Sequence, residues 1–368
     1  MLLPQEHFKL HTLKLLFITQ KIDPHATHLG FIYYWLLEMI PHFEKIHVIS
    51  LHPVRHNTFP KCVTIDALSL SSNTTPRILK FLRFYWCIFF HRKEYQVVFV
   101  HMTPIYIVLG GLFWKLFRKK IFLWYTHSQS SISLKIASLF CSRIFTAHAR
   151  SFPFVNPKVK DLGHGIPLDL FQPKPIQDYG QKQIKLLYTG RISPAKNIFT
   201  LIDACQFLKQ CGVDFHLNIL GIYIERNALY YQEMISRITH FSLTSQITIL
   251  PAVSYKKCVD FYRHSDFLIN LSRKGFFDKN VLESMACGTL CFFCNPLYND
   301  SIPEKYQKYI FFKEKNCKDL SQKIIALSRW PSQKMKEFKD DCQEMIHEKH
   351  DLKSLIKNIK TNMEMEQT

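Results

Sequence analysis

Short apolar runs separated by helix-length gaps recur along almost the whole chain, and that alternation restricts it to a parallel α/β architecture. A first series comprises LLFIT (15–19), HVIS (47–50), VVFVH (97–101), IFLWYTH (121–127) and RIFTA (143–147), with helical stretches over 30–43 and 77–93. A second begins at IKLLYTG (184–190) and continues through FHLNILG (215–221), ITIL (247–250), FLINLS (267–272), LCFF (290–293) and YIFF (309–312), with helices over 198–209, 228–240 and 255–264. Between them GHGIPLDLFQPKP (163–175), with three prolines and no helical period, reads as a linker. The 368 residues therefore divide into two Rossmann-like doubly wound domains, 1–165 and 166–343, with a helical tail over 344–368 expected to cross back and brace the first. Ligands of such sheets collect at the carboxyl ends of the strands, so two domains facing across a cleft would gather both sets of ends at one gap.

The 47% hydrophobic and 21% charged residues describe a globular chain rather than a disordered one. LKLLFIT (13–19) reads as a first strand and not as a secretory signal, and apolar runs such as IYIVLGGLFW (105–114) stop short of the ~20 residues that a spanning helix needs. Eleven scattered cysteines make no disulfide framework, and a cytosolic protein is expected. Cys287, Cys291 and Cys294 have the C-x3-C-x2-C spacing of an iron–sulfur motif. On a helix end and a buried strand they read instead as small apolar side chains.

The net charge of +19 is uneven: residues 1–165 carry 20 Lys and Arg against 7 Asp and Glu. The basic clusters RILKFLRFYWCIFFHRK (77–93) and FWKLFRKKIFLWY (113–125) are interleaved with aromatics, which suits an anionic lipid surface. The same composition would serve phosphate in nucleic acid, or simply a solvated basic face.

The stretch GFFDKNVLESMACG (275–288) reads as a loop, an Asp278 N-cap, a helix of roughly nine residues and a Gly288 C-cap. Its helix start presents N–H groups to an anion. Val281, Leu282, Met285 and Ala286 form a buried stripe, and Glu283, off that stripe, is placed to hold two vicinal sugar hydroxyls. The same pattern also describes a helix covering a sheet, with Lys279 and Glu283 as an exposed i,i+4 pair. GRISPAKN (190–197) places Arg191 and Lys196 in a strand-to-helix turn, two cations of the kind that offset charge on a departing diphosphate. No D-x-D carboxylate pair occurs in the chain, so a metal-free transfer site with no resident cofactor is expected.

With TQKIDPHATHLGF (19–31), VFVHMTPIY (98–106), KKIFLWYTH (119–127), the linker, TGRISPAKN (189–197) and DKNVLESMACG (278–288) in this order, the chain resembles a family 4 glycosyltransferase of the retaining GT-B type. The resemblance implies that Gly190, Arg191 and Lys196 bind the donor diphosphate, that Glu283 holds the ribose, and that His127 faces the transferred sugar. Gly30 falls where a loop approaches donor phosphate or acceptor. His101 and His164 lie at similar loop positions.

The family's first motif glutamate, eight residues before Glu283, is replaced by Gly275, and the usual Gly-x-Pro after the helix is absent. The N–H groups of Phe276 and Phe277 are expected to take over the sugar contacts. The implied function is transfer from a nucleotide-sugar donor to a glycan or lipid-linked acceptor, in cell-surface polysaccharide or lipopolysaccharide synthesis, at the inner face of the membrane and without nucleic acid. The alternatives are a catalytically inactive GT-B partner protein and a basic nucleic-acid-binding protein.

Overall fold

The computed structural model describes residues 13–54, 59–70, 75–173 and 183–367. These fall into two compact units, one within the ranges 1–24, 29–162 and 353–368 and the other within 25–28 and 163–352. Residues 174 and 175 of the linker lie outside the described residues.

In the first unit the elements in chain order are β1 (Lys14–Thr19), α1 (Phe31–Met39), β2 (Lys45–Ser50), β3 (Val63–Ala67), α2 (Arg77–Phe90), β4 (Val97–His101), α3 (Pro104–Leu116), β5 (Lys120–Trp124), α4 (Ile132–Phe140), β6 (Arg143–Thr146) and β7 (Val159–Asp161). The seven strands are parallel in the order β3-β2-β1-β4-β5-β6-β7. β1, β4 and β5 are buried on both faces, which explains their unbroken apolar runs. Phe17 stacks on Phe99 and Phe122 on Phe145, with centroids 5.7 and 5.9 Å apart. The edge strands β3 and β7 escaped the sequence reading because only Val63 of their residues is fully buried, so neither carries a continuous apolar signal.

The second unit contains β8 (Ile184–Arg191), α5 (Phe199–Gln210), β9 (Phe215–Ile222), α6 (Ala228–His240), β10 (Ile247–Pro251), α7 (Tyr255–Arg263), β11 (Phe267–Asn270), α8 (Lys279–Ala286), β12 (Leu290–Phe293), α9 (Glu304–Ile310), α10 (Cys317–Ser328) and α11 (Ser332–His350). Its five strands are parallel in the order β10-β9-β8-β11-β12. The order reverses beside β8, the position where a doubly wound sheet opens a ligand crevice at its carboxyl edge. At that edge Gly190 and Gly221 are register partners, and a Cβ built on Gly221 would stand 2.4 Å from the Gly190 carbonyl oxygen. YIFF (309–312) is not a strand: α9 runs to Ile310, and only a single parallel bridge joins Phe311 to Phe293.

The helical tail is two helices. α11 ends in the second unit, where the Leu352 N–H donates to the Ile166 carbonyl at 3.0 Å. α12 (Leu352–Met365) then belongs to the first unit from Lys353, later than the break expected at 344. There Arg143 Nε donates to Glu366 Oε1 at 2.6 Å and Lys160 Nζ to Asn362 Oδ1 at 3.0 Å. Among the described residues no helix is long and apolar enough to cross a membrane.

Candidate functional site

β8 delivers its last residues to the carboxyl edge of the second sheet. Arg191 ends that strand with its side chain exposed, and among the described residues no carboxylate pairs with it. The chain then turns through Pro194–Lys196 and a left-handed Asn197 before α5. This turn swings Lys196 onto the start of α8. Its Nζ donates to Ser272 Oγ at 2.7 Å and to Asp278 Oδ2, two of its three N–H groups. Ser272 Oγ also donates to Asp278 Oδ2, and Asn270 Nδ2 reaches the same oxygen at 3.4 Å.

Asp278 occupies the N-cap position of α8 with extended backbone, but its side chain makes no capping hydrogen bond. This corrects the expected cap: the carboxylate is drawn to the Lys196 cation instead. Burial pushes the Asp278 carboxyl up, yet the charge of Lys196 and the hydrogen bonds from Lys196, Ser272 and Asn270 outweigh it and hold the group below the usual range. Asn280 extends the network, donating through Nδ2 to Thr189 O and Oγ1 at 3.0 Å each and accepting from Asn270 Nδ2 at 3.0 Å. Asn270, Ser272 and Asn280 were not singled out in the sequence, where short polar residues after a strand look like any loop.

The 273–278 loop is fixed from three sides. Asn295 Nδ2 donates to the Arg273 carbonyl at 3.1 Å and to that of Phe276 at 2.5 Å. The Tyr298 hydroxyl accepts from the Asp278 N–H at 2.7 Å. His164, fully enclosed, hydrogen-bonds the Phe277 carbonyl through Nε2 at 2.8 Å and stacks on the Phe277 ring. His164 thus holds the loop from beneath. The Phe276 N–H donates to Arg273 O at 3.3 Å, so that donor is used in the turn, and the Phe277 side chain is buried. The Phe276 ring lies 5.9 Å from both Lys196 Nζ and the Arg273 guanidinium carbon, which adds Arg273 to the cations here.

Gly275 has φ +95°, a conformation that side-chain-bearing residues rarely adopt. The absence of glutamate at this position is therefore built into the loop's backbone.

Glu283 corrects a second expectation. It is 4% exposed, not off the buried stripe, because α8 is covered by α7 and α11 as well as by the sheet: every residue from Val281 to Ala286 is buried, and Gln343 of α11 donates to the Ala286 carbonyl at 3.2 Å. Tyr262 of α7 donates to Glu283 Oε2 at 3.2 Å, while Oε1 lacks an aligned donor. Burial raises the Glu283 carboxyl against the charge of Lys279 and the hydroxyls of Tyr255 and Tyr262, and burial lowers the Lys279 ammonium. Lys279 is half-buried, with Nζ donating to the Gly165 carbonyl at 3.0 Å. The two are thus not an exposed surface pair. Gly288 ends the helix as expected, its N–H donating to Met285 O at 2.9 Å. Burial pushes the Cys287 and Cys294 thiols up to about 12 and Cys291 well above its usual value, as for small buried side chains.

The remaining candidates lie in the first unit. His127 follows β5 and is half-buried, and its Nδ1 accepts from the Gln129 N–H at 3.0 Å. That bond leaves the ring proton on Nε2, which is thereby a donor. Gly30 is the N-cap of α1, and the left-handed residue beside it is Leu29, with φ 64°. His101 is buried at the end of β4 with Phe31 and Trp35 edge-on to its ring.

Two α/β units with parallel sheets define a protein of the GT-B fold. In overall structure the chain is similar to HepE from Anabaena in complex with UDP, with a TM-score of 0.75 at 16% identity over 96% of this chain and all of that one (100%). It is similar too to sucrose-phosphate synthase from Thermosynechococcus elongatus, with a TM-score of 0.75 at 12% identity over 96% and 98% of the two chains. The lipopolysaccharide outer core galactosyltransferase WaaB gives 0.65 at 12% identity over 97% and 100%. No curated protein sequence matches the chain. Residues 173–358, half of the chain, match the family described as glycosyl transferases group 1, and the chain belongs to that family. It is a glycosyltransferase.

Because the folded-state value of Asp278 lies below its unfolded value of about 3.9, its contribution to stability is complete above that unfolded value. It is lost as pH falls toward and through the folded value. Asp278→Asn is expected to unfold more easily in urea at pH 7, by about 1–3 kcal/mol. It should lose less stability than the parent between pH 6 and pH 3, and equal acid sensitivity of the two would contradict the assignment.

Proposed function

We propose that the chain is a retaining, family 4 type, metal-independent transferase. It moves a sugar from a nucleoside diphosphate donor to a glycan or lipid-linked acceptor of cell-surface polysaccharide or lipopolysaccharide synthesis. The observation that carries this reading is the cation turn of β8 locked to the amino end of α8. Arg191 is exposed there and, among the described residues, pairs with no carboxylate, and Lys196 keeps one N–H beyond its bonds to Ser272 and Asp278. Cations beside a helix start favour a diphosphate and offset its charge as the anomeric carbon–oxygen bond breaks. The acceptor oxygen bonds that carbon from the face the diphosphate leaves, and its proton passes to the departing phosphate.

The proposal assigns the ribose to Glu283, whose Oε1 is the carboxylate oxygen without an aligned donor. His127 Nε2–H, in the first unit, is assigned to a hydroxyl of the transferred sugar. Residues 25–28 of the loop after β1 belong to the second unit, and His28 there is lowered by burial and then by the charge of Arg191. The absence of any D-x-D pair supports a metal-independent reaction. UDP is the first nucleotide to test, since HepE was solved with UDP and with UDP-glucose.

For the membrane, the first unit supplies an apolar and basic face. On α2, Ile78, Leu82, Trp86, Phe89 and Phe90 are exposed among Arg77, Lys80 and Arg83, with Trp86 at 56% and Phe90 at 60%. α2 packs on α3, where the Tyr85 hydroxyl donates to the Leu109 carbonyl at 2.8 Å. At the end of α3, Leu112 and Leu116 stand 75% and 78% exposed near Lys115 and Arg118. Rings and aliphatic chains with cations between them match an anionic bilayer interface on the cytoplasmic side. Lys119 is no part of this face: it is half-buried and donates to the Tyr95 carbonyl.

Calorimetry with UDP-, GDP- and ADP-sugars is expected to find one tightly bound class. Arg191→Ala should weaken it at least tenfold, about 1.4 kcal/mol, with the melting temperature unchanged. No binding, or binding indifferent to Arg191, would count against the site. In flotation assays with phosphatidylglycerol vesicles, the triple reversal Arg77→Glu, Arg83→Glu, Arg118→Glu should weaken association roughly a hundredfold, at about 1 kcal/mol or more per charge. Retention on the vesicles would remove the membrane assignment.

A further inference from the structure

We propose that His47, Asp66 and His91 form a structural site for a divalent transition metal, Zn²⁺ by the chemistry of the donors, which pins the end of α2 to the β2–β3 edge of the first sheet. His47 lies in β2, Asp66 in β3, and His91 directly follows α2. Their ligand atoms lie within 4.8 Å of one another. Asp66 Oδ2 is 3.2 Å from His47 Nε2 and 3.3 Å from His91 Nε2. Ligands bound tetrahedrally to Zn²⁺ at about 2.0–2.1 Å stand about 3.3–3.4 Å apart, and the two His–Asp separations already match that spacing.

On both rings the outer nitrogen, Nδ1, meets an oxygen. His47 Nδ1 is 2.7 Å from Thr64 Oγ1, and His91 Nδ1 is 3.1 Å from Glu94 Oε1. Both ring nitrogens of His91 face carboxylates; with the ring proton on Nδ1, toward Glu94, the Nε2 lone pair is left for an ion beside Asp66. For His47, 1% exposed, Nε2 is buried without a hydrogen bond. With Thr64 accepting from Nδ1, its lone pair also meets the same carboxylate. The tautomers that leave both Nε2 atoms bare present two lone pairs and the Asp66 carboxylate to one ion, which takes the place of the Nε2 protons that otherwise bond Asp66.

Histidines that ligate through one nitrogen and donate through the other to an oxygen are the usual outer support of a zinc ligand. Lys45, paired with Glu94, holds that second carboxylate in place. Asp66 and His91 are partly exposed, which leaves a route of entry. None of these residues is among those assigned to the donor nucleotide.

The test uses the full chain, dialysed against a chelator and titrated with Zn²⁺ alone, and with Co²⁺ as a spectroscopic stand-in. One Zn²⁺ per chain should bind and raise the melting temperature, and Co²⁺ should give the visible bands of a tetrahedral site. His91→Ala and the isosteric Asp66→Asn should each weaken Zn²⁺ binding at least tenfold and abolish those bands while UDP binding persists. Absence of stoichiometric Zn²⁺ binding by the parent would overturn the site. So would binding that both variants retain, which would place the metal on other cysteines or histidines.

Discussion

The charge pair between Lys196 and Asp278 is the contact on which the rest of the second unit's upper edge depends. It joins two residues 82 positions apart, one in the turn after β8 and one at the start of α8. With Ser272 and Asn270 it converts a polar loop into a fixed floor. A partly buried carboxylate of this kind is tolerable only while its cation remains. The same cation keeps a donor for something further, and Arg191 stands open beside it. The ion pair is thus the fastener of the edge, and in the proposed function Arg191 and the remaining Lys196 N–H are what an anion would meet there.

Much of this was legible in the sequence because it is local. Strand, turn and helix followed one another at readable spacing, so β8, the Arg191–Lys196 turn and α8 fell where their periodicity put them. What depended on distant chain was not legible. The Asp278 side chain reads as a helix cap in the sequence, and only the position of Lys196 excludes that role. Glu283 looked solvent-facing because nothing in its own helix reveals that α7 and α11 cover it. Gly275 could be noted as a departure from the family pattern, but its φ of +95° is a property of the folded loop. His47, Asp66 and His91 share no motif spacing, and only the pairing of β2 with β3 brings the first two together.

The first unit carries its functional chemistry differently. Its sheet core is aromatic and buried, while α2 and α3 turn large apolar side chains outward among cations. Exposing Trp86, Phe90 and Leu116 to water is unfavourable unless a partner covers them, and a lipid interface accommodates both the rings and the charges. A metal clasp at the end of α2 would serve such a helix by fixing the sheet edge from which it projects.

The central claim is that Arg191, Lys196 and Glu283 hold a nucleoside diphosphate at the amino end of α8. A crystal structure of the chain with UDP tests it most directly. The expected result places diphosphate oxygens within hydrogen-bond distance of the Arg191 guanidinium and Lys196 Nζ, with the ribose hydroxyls on the Glu283 carboxylate. UDP bound elsewhere, with the Lys196–Asp278 pair and the Arg191 side chain untouched, would contradict it.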